Sequence, residues 1–230
     1  MWKGFQFLFL AVVAIAGCSP GNSEHGPSVE ANISAPYGGA PQPSPTSPSI
    51  RSVDFGNFTY SAEPVCPEGP KSFTLTNGKV RQGGVCDGVV LVYLDYGDAT
   101  GDGMDEAIAV LTSVTKGSAI PYYVYVFTLD HQQPKLLWAF ATGDRADGGL
   151  RQVRARGGEL TIDLYGKEKV IGGKLYADDG STGGACCPTH FTRTTYKWQR
   201  NAFTQQGTEE ALPNPSGGAP VVMPKYEVRG

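Results

Sequence analysis

Four of the oxygen-bearing side chains in the segment DYGDATGDGMDEAIAVL have a spacing that suits a hard cation. Asp98, Thr100 and Asp102 alternate, Gly103 follows, and Glu106 stands three residues further on. Calcium takes six to eight oxygen ligands in a flexible shell, and alternate residues of a tightly curled loop can converge on one ion. Glycine permits the sharp turn that closes such a loop. The chemistry this predicts is structural: an ion that pins a loop between two strands. An EF-hand needs an acidic residue at its twelfth position, and Ala109 stands there instead.

The segment resembles the D-x-[DN]-x-D-G-x-x-[DE] loop of FG-GAP/VCBS-type bacterial surface domains, in which a strand follows the loop. Residues 107–111, Ala-Ile-Ala-Val-Leu, supply that strand here. Thr100 departs from the family pattern, making one ligand neutral. The resemblance implies calcium as a structural cofactor held by Asp98, Thr100, Asp102 and Glu106.

Cysteine carries the second chemistry. The first residues, MWKGFQFLFLAVVAIAGCSPG, place Lys3 before an apolar run over 5–16, then small residues, then Cys18. This is the order of an export signal, and the run falls short of the about 20 apolar residues that span a bilayer. Ile15-Ala16-Gly17-Cys18 resembles the lipobox of bacterial lipoproteins. In that family the thiol receives a diacylglycerol and the bond before it is cut. The resemblance implies a lipid anchor at Cys18 and a place in the bacterial cell envelope. Ser19 resembles an outer-membrane sorting residue should the host be Gram-negative. Several acyl chains make a stable anchor at about 0.8 kcal/mol per buried methylene.

Four further cysteines, Cys66, Cys86, Cys186 and Cys187, predict disulfides in an exported chain, with three connectivities open. Cys66 and Cys86 flank an Asn77-Gly78 turn slightly out of register. A bridge there would close a loop of about 20 residues and contribute on the order of 3 kcal/mol. Cys186 and Cys187 either reach those two separately or form a vicinal bridge, which stores strain because adjacent α-carbons lie about 3.8 Å apart. CCPTHFTRTTYKW resembles a segment of bacterial secreted proteins in which the pair occurs without further cysteines, which implies the vicinal bridge. No CxxC occurs, and nothing supplies a third group to a Cys187–His190 pair.

The elements that must position these groups are strands. Alternation and turn chemistry predict a mainly β fold, a single antiparallel β-rich domain (sandwich or meander) behind a disordered tether. Asn77-Gly78 centres a predicted hairpin over 73–82, and Gly157-Gly158 a second over 151–165. Strands are predicted over 122–129 and 192–198, the latter turning at Arg200-Asn201. The apolar runs at 89–94 and 107–111 predict central strands buried on both faces. The boundaries read as signal peptide 1–17, Pro/Ser/Gly-rich tether 18–50, globular domain 51–206 and loose tail 207–230.

Other chemistry finds less support. The formal net charge is −3 and no run of Lys or Arg appears, which argues against nucleic acid as a partner. The three histidines match no zinc spacing. Asp144, Asp147, Asp163, Asp178 and Asp179 read as solvated loop charges. The aromatics from Tyr122 to Trp198 read as alternating strand core. No nucleophile elbow, P-loop or dinucleotide fingerprint is present. The expectation is a non-catalytic envelope lipoprotein. Its calcium- and disulfide-stabilised β-domain would bind an envelope protein or polysaccharide, or support the envelope. A surface hydrolase acting on polysaccharide or peptide is the alternative, and a redox role for Cys186-Cys187 a third class.

Overall fold

The computed structural model describes residues 48–61, 65, 69–81, 86–115, 121–144, 148–171 and 188–215, all within one compact unit, Thr46–Gly230. Cys18, Cys66, Cys186, Cys187, Asp147, Asp178 and Asp179 lie outside these residues, as do the signal, almost all of the tether, and the tail from 216.

Eleven strands are described: β1 Thr59–Ser61, β2 Ser72–Thr74, β3 Lys79–Arg81, β4 Cys86–Gly97, β5 Glu106–Thr115, β6 Pro121–Asp130, β7 Gln133–Asp144, β8 Leu150–Arg156, β9 Glu159–Tyr165, β10 His190–Gln199 and β11 Ala202–Pro213. Strands β3 to β7 form a five-stranded sheet in chain order, and β8 to β11 a four-stranded one. Every pairing between these strands is antiparallel. The mainly β, antiparallel expectation holds, as sandwich and meander at once.

The five-stranded sheet is covered on both faces, which explains the unbroken apolar runs. On one face Ala107, Ala109 and Leu111 of β5, with Tyr125 and Phe127 of β6, pack against Ile50, Phe55, Tyr60, Phe73 and Leu75 of the N-terminal segment. On the other, Ile108, Val110, Val124, Val126 and Phe140 meet Val153, Leu160, Ile162, Leu164 and Tyr196 of the second sheet. Residues 107–111 are fully buried, as the sequence predicted, whereas over 89–94 only Val89 and Leu91 are buried and Val90, Val92, Tyr93 and Leu94 are half-buried. A strand with apolar partners on both sides has no solvent face to make polar.

Four two-residue turns place both residues in the left-handed region: Asn77-Gly78 (φ 52° and 75°), His131-Gln132 (47°, 64°), Gly157-Gly158 (60°, 79°) and Arg200-Asn201 (51°, 63°). Their twist matches that of the strands they join. The sequence marked three of these turns and missed His131-Gln132, which lacks the Gly or Asn that each of the others contains.

Two expectations are corrected. The predicted 73–82 hairpin is a single bridge, Thr76↔Lys79. Beyond it the chain diverges: Thr74 pairs with Thr59 of β1, and Val80 with Val89 of β4. Phe73 stacks on Tyr60 at 5.9 Å, so burying this side chain in the N-terminal cover wins over extending the hairpin. The ordered structure also runs past 206, because β11 continues to Pro213 and pairs there with His190.

Candidate functional site

The acidic segment is the loop from β4 to β5, and its carboxylates organise it. Asp98 accepts hydrogen bonds from Gly101 N–H at 2.6 Å through Oδ1 and from Gly103 N–H at 3.2 Å through Oδ2. Gly101 and Gly103 have φ of 85° and 84°, values that only glycine adopts without strain, and these turn the chain back over Asp98. Asp102 Oδ1 accepts from Met104 N–H at 2.8 Å. Asp105 pairs with Arg51 at 2.6 Å, tying the loop to the N-terminal cover.

Glu106 is buried at the first position of β5. Its Oε2 accepts from Ala99 N–H (2.8 Å) and Thr100 N–H (3.1 Å), and its Oε1 from the Thr128 hydroxyl (3.0 Å). Burial pushes its pKa above the ordinary 4.5 although these donors pull the other way. Sign follows from proton binding. Below about pH 4.5 folded and unfolded states are both protonated, and above it the unfolded chain ionises first. The metal-free protein therefore loses stability from Glu106 as pH rises through its folded pKa. In Glu106→Gln the amide oxygen can accept from the two N–H groups while its nitrogen faces Thr128. With chelator present, the variant is expected to gain on wild type in thermal midpoint as pH rises from about 4.5. A constant difference across that range would refute this role.

Thr100 Oγ1 is buried and has no hydrogen-bond partner, an arrangement that carries a cost unless something accepts or coordinates it. The loop thus holds Asp98, Thr100 and Asp102 with an unspent hydroxyl, a donor set suited to a hard cation. Glu106, the fourth predicted ligand, accepts from loop amides with one oxygen and from Thr128 with the other, as Asp98 accepts from loop amides with both. Among the described residues no three His, Cys, Asp or Glu side chains gather as a metal cluster.

The loop docks on the β8–β9 turn, a contact that chain distance hid from the sequence. Gly158 N–H donates to the Asp98 main-chain carbonyl at 3.1 Å. A Cβ on Gly158 would come within 2.9 Å of Gly101 Cα, so glycine here serves close approach as well as positive φ. At the end of β4, a side chain on Gly97 would collide with the Ala155 carbonyl, so β4 and β8 approach closely there.

Beside this contact lies an open groove of about 880 Å³, walled by Tyr93 and Asp95 on β4 and by Gln152, Arg154, Arg156 and Glu159 on β8 and β9. Tyr93 O–H donates to Asp95 Oδ2 at 3.0 Å. Burial, then the Asp95 charge, holds that phenol well above its usual range, so it stays a donor. Arg154 donates to Gln152 Oε1 at 3.2 Å. These groove residues were missed, although polar 152, 154 and 156 alternating with Val153 and Ala155 is the signal of a strand with one wet face.

Asp163 corrects an expectation: it lies on β9, not in a solvated loop, and is 1% exposed. Arg193 grips it with Nε to Oδ1 and Nη2 to Oδ2, both at 2.8 Å, and Arg151 adds a bond of 3.1 Å. Both guanidiniums lie over the Phe191 ring, at 4.1 Å for Arg151 and 5.5 Å for Arg193.

Cys86 is buried at the start of β4 and its sulfur is engaged in a disulfide. Its partner lies outside the described residues. The premise that Cys66 and Cys86 flank one hairpin does not hold, since β2 and β3 part company after the Asn77-Gly78 turn. His190 Nδ1 contacts Thr189 Oγ1 at 2.9 Å, and Cys187 lies outside the description.

No protein family, curated protein or solved structure matches this chain.

Proposed function

We propose that this chain is an exported, lipid-anchored protein of the bacterial cell envelope whose β-domain is a non-catalytic binding module pinned by calcium. The observation that carries the metal reading is the buried, unpartnered Thr100 Oγ1 within a loop already curled around Asp98. Asp98, Thr100 and Asp102 would hold the ion, with main-chain oxygens and water completing its shell. Calcium there supplies charge neutralisation and rigidity, not chemistry on a substrate. The export signal and Cys18 supply the address and the anchor, and the groove beside the loop offers the binding surface. Disulfides suit the same oxidising compartment.

The test is thermal unfolding of the full chain in chelator and in excess calcium, beside an Asp98→Ala, Asp102→Ala variant. A ligand selective for the folded state stabilises it by about 2.7 kcal/mol at a hundredfold excess over Kd. For a chain of this size that is a rise of roughly 5–10 °C in Tm. Wild type should show it and the variant should not. An unmoved wild type would sink the calcium reading.

A surface hydrolase is the second reading, favoured by the carboxylates of Asp95, Asp98 and Glu159 in one groove. Each is engaged: Asp95 by Tyr93, Asp98 by loop amides and Glu159 by Lys197 at 3.3 Å. Product release from a polysaccharide or peptide, lost in Asp95→Asn, would restore that reading.

A further inference from the structure

We infer that the groove between β4 and β8 takes a chain of uncharged sugars, an inference that rests on the binding-module reading and names its ligand class. Hydrogen-bonding capacity is the starting point. Among the described residues the Arg156 guanidinium, the Gln152 amide N–H, the Thr161 hydroxyl and Asp95 Oδ1 carry no hydrogen bond, and all four side chains line the groove. Three donors and an acceptor stand ready on the walls of one trough. A partner that satisfies them must offer acceptors and donors in close succession, and a sugar hydroxyl is both at once.

Charge narrows the class. With Asp98 committed to the proposed calcium, Arg154 and Arg156 stand against Asp95 and Glu159, two cations and two carboxylates. A polyanion would meet the two carboxylates, and a cationic chain would meet the two arginines. An uncharged, hydroxyl-rich chain is repelled by neither. The groove is also partly open to solvent rather than an enclosed cavity, so a segment of a longer chain can enter it.

An extended peptide is the rival occupant, and the seam argues against it. Strand addition needs an unpaired strand edge with its main-chain groups free. β8 is the end strand of its sheet, but its Ala155 carbonyl lies against Gly97, which interrupts the edge that a peptide would have to pair with. The groove walls also lack the apolar pockets that read alternate peptide side chains, its least polar members being two tyrosines, Ala155 and glycines.

The experiment is calorimetric titration of the full chain, held in a detergent without a sugar headgroup. Four probes are used: a neutral gluco-oligosaccharide, an N-acetylhexosamine oligomer, a uronic acid oligomer and an alternating Val-Thr peptide. At least one uncharged oligosaccharide should bind, the uronic acid oligomer should bind at least tenfold more weakly, and Arg156→Ala with Gln152→Ala should weaken binding at least tenfold. Both replaced side chains stand on the wet face of β8, so an unchanged thermal midpoint reports that the fold is intact. Absence of binding by both uncharged oligosaccharides, or binding that ignores the double variant, overturns the inference. Peptide binding abolished by the double variant would overturn the sugar assignment while leaving the groove a binding site. Silence from all four probes would count against the binding module itself.

Discussion

Asp163→Ala is expected to cost about 3–5 kcal/mol of folding stability, the range for removing one partner of a buried ion pair. The reason lies in what remains. Asp163 is 1% exposed and neutralises two guanidiniums whose side chains are 16% and 31% exposed, Arg151 and Arg193. Without it two like charges face each other over Phe191, and Arg151 already has a buried Nε without a partner. The three residues sit on β8, β9 and β10, so the repulsion is aimed at the register of the second sheet. Asp163→Asn, which keeps an acceptor but not the charge, should fall between wild type and alanine. Urea unfolding with an unchanged slope and a lowered midpoint would establish the loss as one of stability. A cost under about 1 kcal/mol would show that the arginines find other partners or water, as exposed pairs do.

Phe127→Ala should be as damaging, at about 3–5 kcal/mol, for a reason of packing rather than charge. Phe127 lies on β6 among the rings of Phe55 (5.3 Å), Phe58 (5.2 Å), Tyr60 (6.0 Å) and Tyr125 (6.2 Å). Three of those rings belong to the N-terminal cover, whose own strands β1 and β2 are three residues each. Strands that short bring few ladder bonds, so the cover holds to the sheet largely through aromatic contact. The variant should therefore lose amide protection first over 55–75, with the second sheet retaining its own. Uniform loss of protection across both sheets would mean that cover and sandwich unfold as one unit.

The parts of the fold legible in the chain were those with local causes. Gly157-Gly158 and Arg200-Asn201 sat between alternating runs, and both became turns between paired strands. Asn77-Gly78 also became the turn it promised, yet its flanking strands went to different partners. A turn sets the direction of the chain over two residues, whereas pairing beyond it depends on which surface offers more burial. Asp163 was misplaced for a related reason. A carboxylate in an alternating run reads as solvent-facing, and its two cationic partners come from strands 12 and 30 residues away.

The candidate site divides in the same way. Asp98, Thr100, Asp102 and the glycines that curl the chain around them are neighbours in sequence, and a loop of that kind is determined by backbone freedom and local hydrogen bonds. By itself the sequence determined the β class, the positions of most turns, the doubly buried strand at 107–111 and the composition of the acidic loop. Only the tertiary structure decided that this loop rests on the β8–β9 turn, that Gly97 meets Ala155, that Glu106 is spent on the loop's own amides, and that a polar groove opens beside them. Apart from Glu106, whose amide donors lie six and seven residues back in the same loop, each of those depends on two strands far apart in the chain arriving at the same place, and that meeting is set by the burial of both faces of the five-stranded sheet.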